Sequence, residues 1–177
     1  MKKTKFYNLK VDKLIEDNFP EIVAIERKIY LNEDPDIIQG ESLIEDIKKR
    51  EGLEYSVVLY GEREYGKKRE VIGYIVAINE NMDKNKLSIC LEDFAIIPEA
   101  QRQGLGWKIM EEFIKNLKGK HKPDFLYMHL RENSKAFMNK HQESLKEMGV
   151  ELIEETTIAD YYGIGKDTLC QLYELKN

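Results

Sequence analysis

The 177 residues amount to one domain's length, enough to bury roughly two-thirds of the unfolded chain's surface, so no disulfide or metal staple is needed. Hydrophobic residues make up 42% and charged residues 34%, an ordinary globular composition with a heavily charged surface. The net charge of −5, from 33 acidic and 28 basic residues, is opposite in sign to a duplex-binding protein, and no apolar run approaches the ~18 residues of a membrane span.

The chain opens with a strand from Phe6 to about Ile15. Asn18-Phe19-Pro20-Glu21 then reads as a helix start, with Asn18 as cap, Pro20 in the first turn and Glu21 completing a capping box. Ile22, Ile25 and Ile29 continue as a helical stripe. Ser42 with Glu45 three residues on, followed by Leu43, Ile44 and Ile47, predicts a second helix that Gly52 ends. Three strands follow, over 55–60, 70–79 and 87–97, joined by polar connections as in a meander. Beyond Pro98 the period changes. Ile109, Met110, Phe113, Ile114 and Leu117 form a helical face that Gly119 closes. A strand over 125–130, a helix from Asn133 or Ser134 to Met148 stopped by Gly149, and two strands over 150–158 and 168–175 complete the order. The result is β-α-α-β-β-β-α-β-α-β-β: α/β, with a mixed and mostly antiparallel sheet, in a single domain over 1–177.

Cys90 and Cys170 lie far apart and form no CxxC pair, so both read as buried apolar residues. His121, His129 and His141 lack ligand spacing, and no metal is expected. The basic runs Lys48-Lys49-Arg50 and Lys67-Lys68-Arg69 sit beside acidic residues and read as solvated edges, so nucleic acid is not an expected partner, nor is a membrane. Lys2-Lys3 is followed by no apolar h-region, which makes a reducing, cytoplasmic compartment the expectation.

The most informative stretch runs from Leu91 to Gly106: a strand, a proline, then a glycine-containing loop that opens a helix. The first amides of such a helix lack acceptors, and its dipole adds positive charge there. Glycines let a backbone approach a ligand closely. The loop reads either as a tight strand–helix turn or as a pyrophosphate cradle, with Arg102 adding a charged contact. It is neither a Walker loop, because no Gly-Lys-Ser/Thr follows, nor a dinucleotide GxGxxG, because position 109 is Ile.

Pro98-x-x-Gln101-x-x-Gly104-x-Gly106 resembles the signature of the GNAT superfamily of N-acetyltransferases, Gln/Arg-x-x-Gly-x-Gly/Ala after a strand ending in hydrophobic-x-Pro. Gln101 to Gly106 is similar to bacterial ribosomal-protein N-acetyltransferases. Leu130-Arg131-Glu132-Asn133 resembles the family's next strand exit, where an Asn reaches the cofactor, and Lys146-Glu147-Met148-Gly149-Val150 its helix-to-strand corner. Tyr161-Tyr162-Gly163 with Asp167 is similar to the last hairpin of the N-terminal and lysine acetyltransferase branch. The resemblance covers roughly residues 86 to 175, and the first 85 agree in element order.

The resemblance implies a central sheet of about seven strands flanked by about four helices, and acetyl-CoA as cosubstrate. It implies that the strand over 91–97 bulges and splays. Backbone of Phe94, Ala95 and Ile96 would then pair with the pantetheine arm like an added strand, one amide polarising the thioester carbonyl. Gln101, Arg102, Gln103, Gly104, Leu105, Gly106 and Trp107 would hold the pyrophosphate, and Asn133 would reach the cofactor. The partner is then a primary amine of a protein, peptide or small molecule. Such an amine is mostly protonated at neutral pH and needs a base. Glu92, in Leu91-Glu92-Asp93-Phe94, is similar to the polyamine-acetylating members and is the candidate base; strand alternation places Asp93 on the opposite face. The family's usual general acid is a tyrosine on the helix after Asn133, but here that helix carries none and Leu145 stands at the matching position. Tyr161 or Tyr162 is the remaining candidate for the acid or for lining the acceptor channel. The missing tyrosine leaves a second expectation open, a weakly catalytic acetyl-CoA-binding sensor or partner-binding module. Residues 17 to 50 carry no motif that names the acceptor, and monomer and homodimer are both compatible.

Overall fold

The computed structural model describes residues 4–30, 40–80, 85–130, 132–159 and 168–176. Seven strands are present among them: β1 (Tyr7–Lys13), β2 (Val57–Glu62), β3 (Glu70–Asn79), β4 (Ser88–Ile96), β5 (Phe125–Leu130), β6 (Val150–Ile158) and β7 (Thr168–Leu175). The α-helices are α1 (Phe19–Tyr30), α2 (Gly40–Lys49), α3 (Gly52–Tyr55), α4 (Leu105–Asn116) and α5 (Glu132–Glu147). The strand order is β1-β2-β3-β4-β5-β7-β6. Antiparallel ladders join β1 to β2, β2 to β3, β5 to β7 and β6 to β7, whereas β4 and β5 run parallel. The expected mixed, mostly antiparallel sheet is therefore observed.

The chain divides into two compact units, residues 1–78 with 93–113, and residues 79–92 with 114–177. In the first unit, α1 buries Ile22 and Ile25 along the stripe read from the sequence. β3 is buried from Val71 to Ile78, a continuous apolar run of the kind found in strands covered on both faces.

Two local expectations in this unit are corrected. Asn18 reaches backwards rather than capping α1: its Oδ1 accepts from the Ile15 amide at 3.2 Å and its amide donates to the Tyr60 hydroxyl at 2.7 Å. A 3-10 turn over Glu16–Asn18 therefore precedes the helix, because a buried amide side chain is held by a distant strand as well as by its own turn. Gly52 does not end α2, which stops at Lys49; it opens the one-turn helix α3, and Tyr55 belongs to that turn and not to β2. Space decides this. A Cβ at Gly52 would lie 2.9 Å from the Ile47 Cα.

In the second unit the helix does not close at Gly119. It widens into a π turn over Leu117–His121 and stops at Lys122, whose left-handed φ of 49° lets its amide donate to the Leu117 carbonyl at 2.8 Å. The wider turn delivers the Lys118 ammonium to the carbonyls of Met148, at 2.6 Å, and Lys176. Met148 lies at the C-terminal end of α5, where a cation is favoured. Gly149 then reverses the chain with φ +73°, its amide donating to the Lys146 carbonyl at 2.8 Å, as the sequence led us to expect. A Cβ there would meet the Lys118 Nζ at 2.7 Å and the Lys176 carbonyl at 3.0 Å. Gly149→Ala is expected to cost about 2 kcal/mol, the sum of left-handed strain and this crowding. Urea unfolding monitored by circular dichroism checks it, and an unchanged midpoint would show that the corner relaxes freely.

Candidate active site

The site is built on the second half of β4 and the turn that follows. Beside it, β3 carries Gly73, where an added Cβ would approach the Ile96 Cδ1 to 2.3 Å and the Ala95 carbonyl oxygen to 2.9 Å. The two backbones pack this closely only because Gly73 has no side chain. The Ile97 amide donates to the Ile72 carbonyl at 3.0 Å and extends the pairing to the proline. On the other side, the parallel register with β5 runs from Ser88 opposite Phe125 to Leu91 opposite Met128.

After Ile97 the chain makes a 3-10 turn over Pro98–Ala100, with the proline in the first position where its missing amide costs nothing. The Gln101 side chain folds back and donates to the Ile96 carbonyl at 2.9 Å. The Gln103 side chain donates to the carbonyls of Thr4 and Glu99, both at 2.9 Å. Both glutamines therefore shape the loop with their side chains. Arg102 is exposed with φ +58°, and Gly104 follows with φ +78°. The Lys108 amide donates to the Gly104 carbonyl at 3.1 Å, which makes Gly104 the residue that opens α4. A Cβ at Gly104 would meet nothing within 4 Å. The first turn of α4, whose amides lack helical acceptors, thus follows directly on a glycine with open space at its Cβ position and on the exposed Arg102. A left-handed glycine, helix-end donors and a guanidinium together fit a diphosphate. Leu105 is buried, while Gly106 and Trp107 are half-buried.

The same loop is tied to α1. Lys28 bridges Glu99, and its ammonium holds the Glu99 carboxyl below its usual range, against the opposing effect of burial. A depressed carboxyl stabilises the fold above the unfolded carboxylate range and loses that contribution as pH falls through its lowered value.

Glu92 is the central residue of β4, half-buried, and its neighbours come from outside any local motif. Its carboxylate, the Glu80 carboxylate and the Cys90 thiol lie within 4.8 Å of one another. Cys90-x-Glu92 is the only local signal of this, two residues on one strand face; Glu80 arrives from the end of β3, its amide donating to the Ser88 carbonyl at 2.8 Å. Tyr127 on β5 stands opposite Cys90, and burial, helped by Glu154, Glu80 and Cys90, pushes its phenol up. Asp93 keeps different company, accepting hydrogen bonds from the Tyr74 hydroxyl at 2.5 Å and the Phe94 amide at 2.8 Å.

Other expected positions take plain structural places or fall outside the description. Tyr161 and Tyr162 lie outside the described residues, as does the side chain of Asn133. Leu145 is fully buried. Cys90 is buried as expected, but Cys170 is only half-buried, because it faces the partly open side of β7; burial pushes its thiol up. His141 packs against the Phe137 ring at 4.9 Å and is held below its ordinary range, chiefly by burial. No helix among the described residues is long and apolar enough to cross a membrane.

Comparison with known proteins agrees with this geometry. The chain is similar in structure to the ribosomal-protein-S18-alanine N-acetyltransferase from Escherichia coli, with a TM-score of 0.67 and 18% identity over 96% of each chain. It is also similar to Arabidopsis thaliana Naa50 in complex with the bisubstrate analogue CoA-Ac-MVNAL, with a TM-score of 0.64 and 13% identity over 94% of this chain and 98% of that one. A third likeness is to the diaminobutyrate acetyltransferase EctA from Paenibacillus lautus, in complex with L-2,4-diaminobutyric acid and coenzyme A, with a TM-score of 0.66 and 12% identity over 94% of this chain and 95% of that one. No curated protein matches by sequence. The sequence model of the acetyltransferase (GNAT) family matches residues 16–142, more than half of the chain, and the protein belongs to that family.

Proposed function

We propose that residues 1–177 form one N-acetyltransferase domain that moves an acetyl group from acetyl-CoA to a primary amine by direct attack in a ternary complex. The observation that carries this reading is the loop at Gly104, where a left-handed glycine opens α4 onto unfilled space. Acetyl-CoA supplies an activated acyl group on a thiol leaving group. The chain's own contribution is main-chain donors. The outward main-chain groups of the Phe94–Ile96 stretch pair with the pantetheine arm, and one of its amides polarises the thioester carbonyl. Those from Gln101 to Trp107 hold the diphosphate with help from Arg102, and Asn133 completes the grip.

Glu92 takes a proton from the acceptor's ammonium group and so frees the lone pair that attacks the thioester. Glu80 beside it adds a second carboxylate, and the two gather negative charge where a cation must be received and deprotonated. Tyr162 returns a proton to the leaving thiolate. The acceptor is a protein N-terminus, a lysine side chain or a small-molecule amine; the similar structures above include a ribosomal-protein-alanine N-acetyltransferase and a diaminobutyrate acetyltransferase.

One observation favours a second reading, in which the chain binds acetyl-CoA as a sensor. α5 carries no tyrosine, and Leu145 at the matching position is sealed in the core. Release of free thiol from acetyl-CoA, followed over a panel of peptide N-termini, lysine peptides and diamines, separates the two. Thiol release that depends on one class of amine supports the enzyme. Coenzyme A binding by calorimetry with no release on any amine supports the sensor.

A further inference from the structure

We propose that Asp93 is a positioning residue for the cofactor grip, an inference that rests on the reading of β4 and its loop given above. Tyr74 lies in β3 with no exposed surface, and a buried phenol needs a partner. Its hydroxyl donates to Asp93 Oδ2 at 2.5 Å, the length of a charge-assisted bond. The other oxygen, Oδ1, accepts from the Phe94 amide at 2.8 Å. One half-buried carboxylate therefore ties the interior of β3 to the main chain of β4, at the residue where the ligand-pairing stretch begins.

The direction of the strand's polar groups shows what the tie controls. The Ala95 carbonyl oxygen lies 2.9 Å from where a Gly73 Cβ would stand, and the Ile97 amide donates to Ile72. Residues 95 and 97 thus turn their main-chain groups towards β3. Alternation along a strand turns those of Phe94 and Ile96 to the opposite edge. Asp93 grips the first of these outward amides and is itself gripped by a side chain with no freedom to move. The bridge fixes the rotation of β4 about its own axis, and so the direction in which the next outward groups point. A ligand recognised by main-chain pairing depends on that direction being set before it arrives. Asparagine can imitate the arrangement, with its carbonyl oxygen accepting from Phe94 and its amide donating to the Tyr74 oxygen. Alanine cannot.

The test is calorimetry with coenzyme A on the full chain, together with steady-state kinetics. Asp93→Ala is expected to weaken coenzyme A binding about tenfold, and KM for acetyl-CoA should rise with it while KM for the acceptor amine holds. Tyr74→Phe should weaken binding in the same direction, and the double variant should be no weaker than Asp93→Ala, because both substitutions cut one bridge. Asp93→Asn should stay within about twofold of wild type. Should Asp93→Ala fail to fold, Tyr74→Phe, which deletes a single hydroxyl, carries the test. A lowered melting temperature with unchanged coenzyme A affinity, or fully additive losses in the double variant, overturns the inference and leaves the site reading intact. A wild-type chain that binds no coenzyme A overturns that reading itself, and this inference with it.

Discussion

Gly104→Leu is expected to weaken coenzyme A binding at least about 100-fold, or about 2.7 kcal/mol, while the protein stays folded. Two facts about the position produce this separation. The residue has φ +78°, so any side chain adds left-handed strain of about 1–2 kcal/mol, which lies within the stability of an ordinary domain. Apart from its chain neighbours, a Cβ there would meet nothing within 4 Å, so no packed group opposes the start of the side chain. On the proposed reading a diphosphate approaches the main chain here to within hydrogen-bonding distance of the α4 amides. A leucine fills the approach and leaves the wall behind it standing. Gly73 is the contrast: its Cβ would run into Ile96 and the Ala95 carbonyl, so there a side chain attacks the strand itself. Calorimetry with coenzyme A and a thermal melt check the prediction together. Wild-type affinity in a folded Gly104→Leu would remove the loop as the diphosphate site.

Glu92→Gln is expected to lower kcat about 100-fold at neutral pH with coenzyme A affinity intact. The sign of the pH dependence follows from the role. A base accepts the proton of an ammonium acceptor, and the demand for it is greatest where the free amine is scarcest, at lower pH. The defect should therefore widen as pH falls and narrow as pH rises and solvent takes over deprotonation. The Glu80 carboxylate, within 4.8 Å, remains in the variant and offers a poorer relay, which sets a floor under the loss. A pH–rate profile superimposable on wild type would exclude Glu92 as the base.

These two experiments address different parts of the chain and fail independently. Loss of binding on Gly104→Leu, with a normal Glu92→Gln profile, keeps the cofactor grip and moves the base elsewhere. The reverse result keeps the proton transfer and moves the diphosphate.

The limits of the sequence are visible at particular residues. β3 and β7 occupy the predicted spans 70–79 and 168–175, since each is a run of apolar and β-branched residues bounded by polar turns. Gly149 ends α5 as read, because a glycine after the last helical turn has a local meaning. Gly119 and Gly52 carried the same signal and misled. At the first, the helix ran on as a π turn that brings Lys118 to two carbonyls; at the second, close approach to Ile47 asked for glycine where a new turn begins. Asn18 looked like a cap and is instead held by Tyr60, 42 residues away.

The sequence by itself determined the order of the seven strands and the four longer helices, the loop from Pro98 to Gly106 and the family, because periodicity, turn chemistry and a contiguous motif are written within a few residues of one another. Only the tertiary structure decided which groups meet: Asp93 with Tyr74, Glu92 with Glu80 and Cys90, and the glutamine side chains with the loop's own carbonyls. Strand alternation separates Glu92 from Asp93, but which strand lies beside each face is a matter of sheet order, and sheet order is set by burial summed over the chain rather than by any local signal.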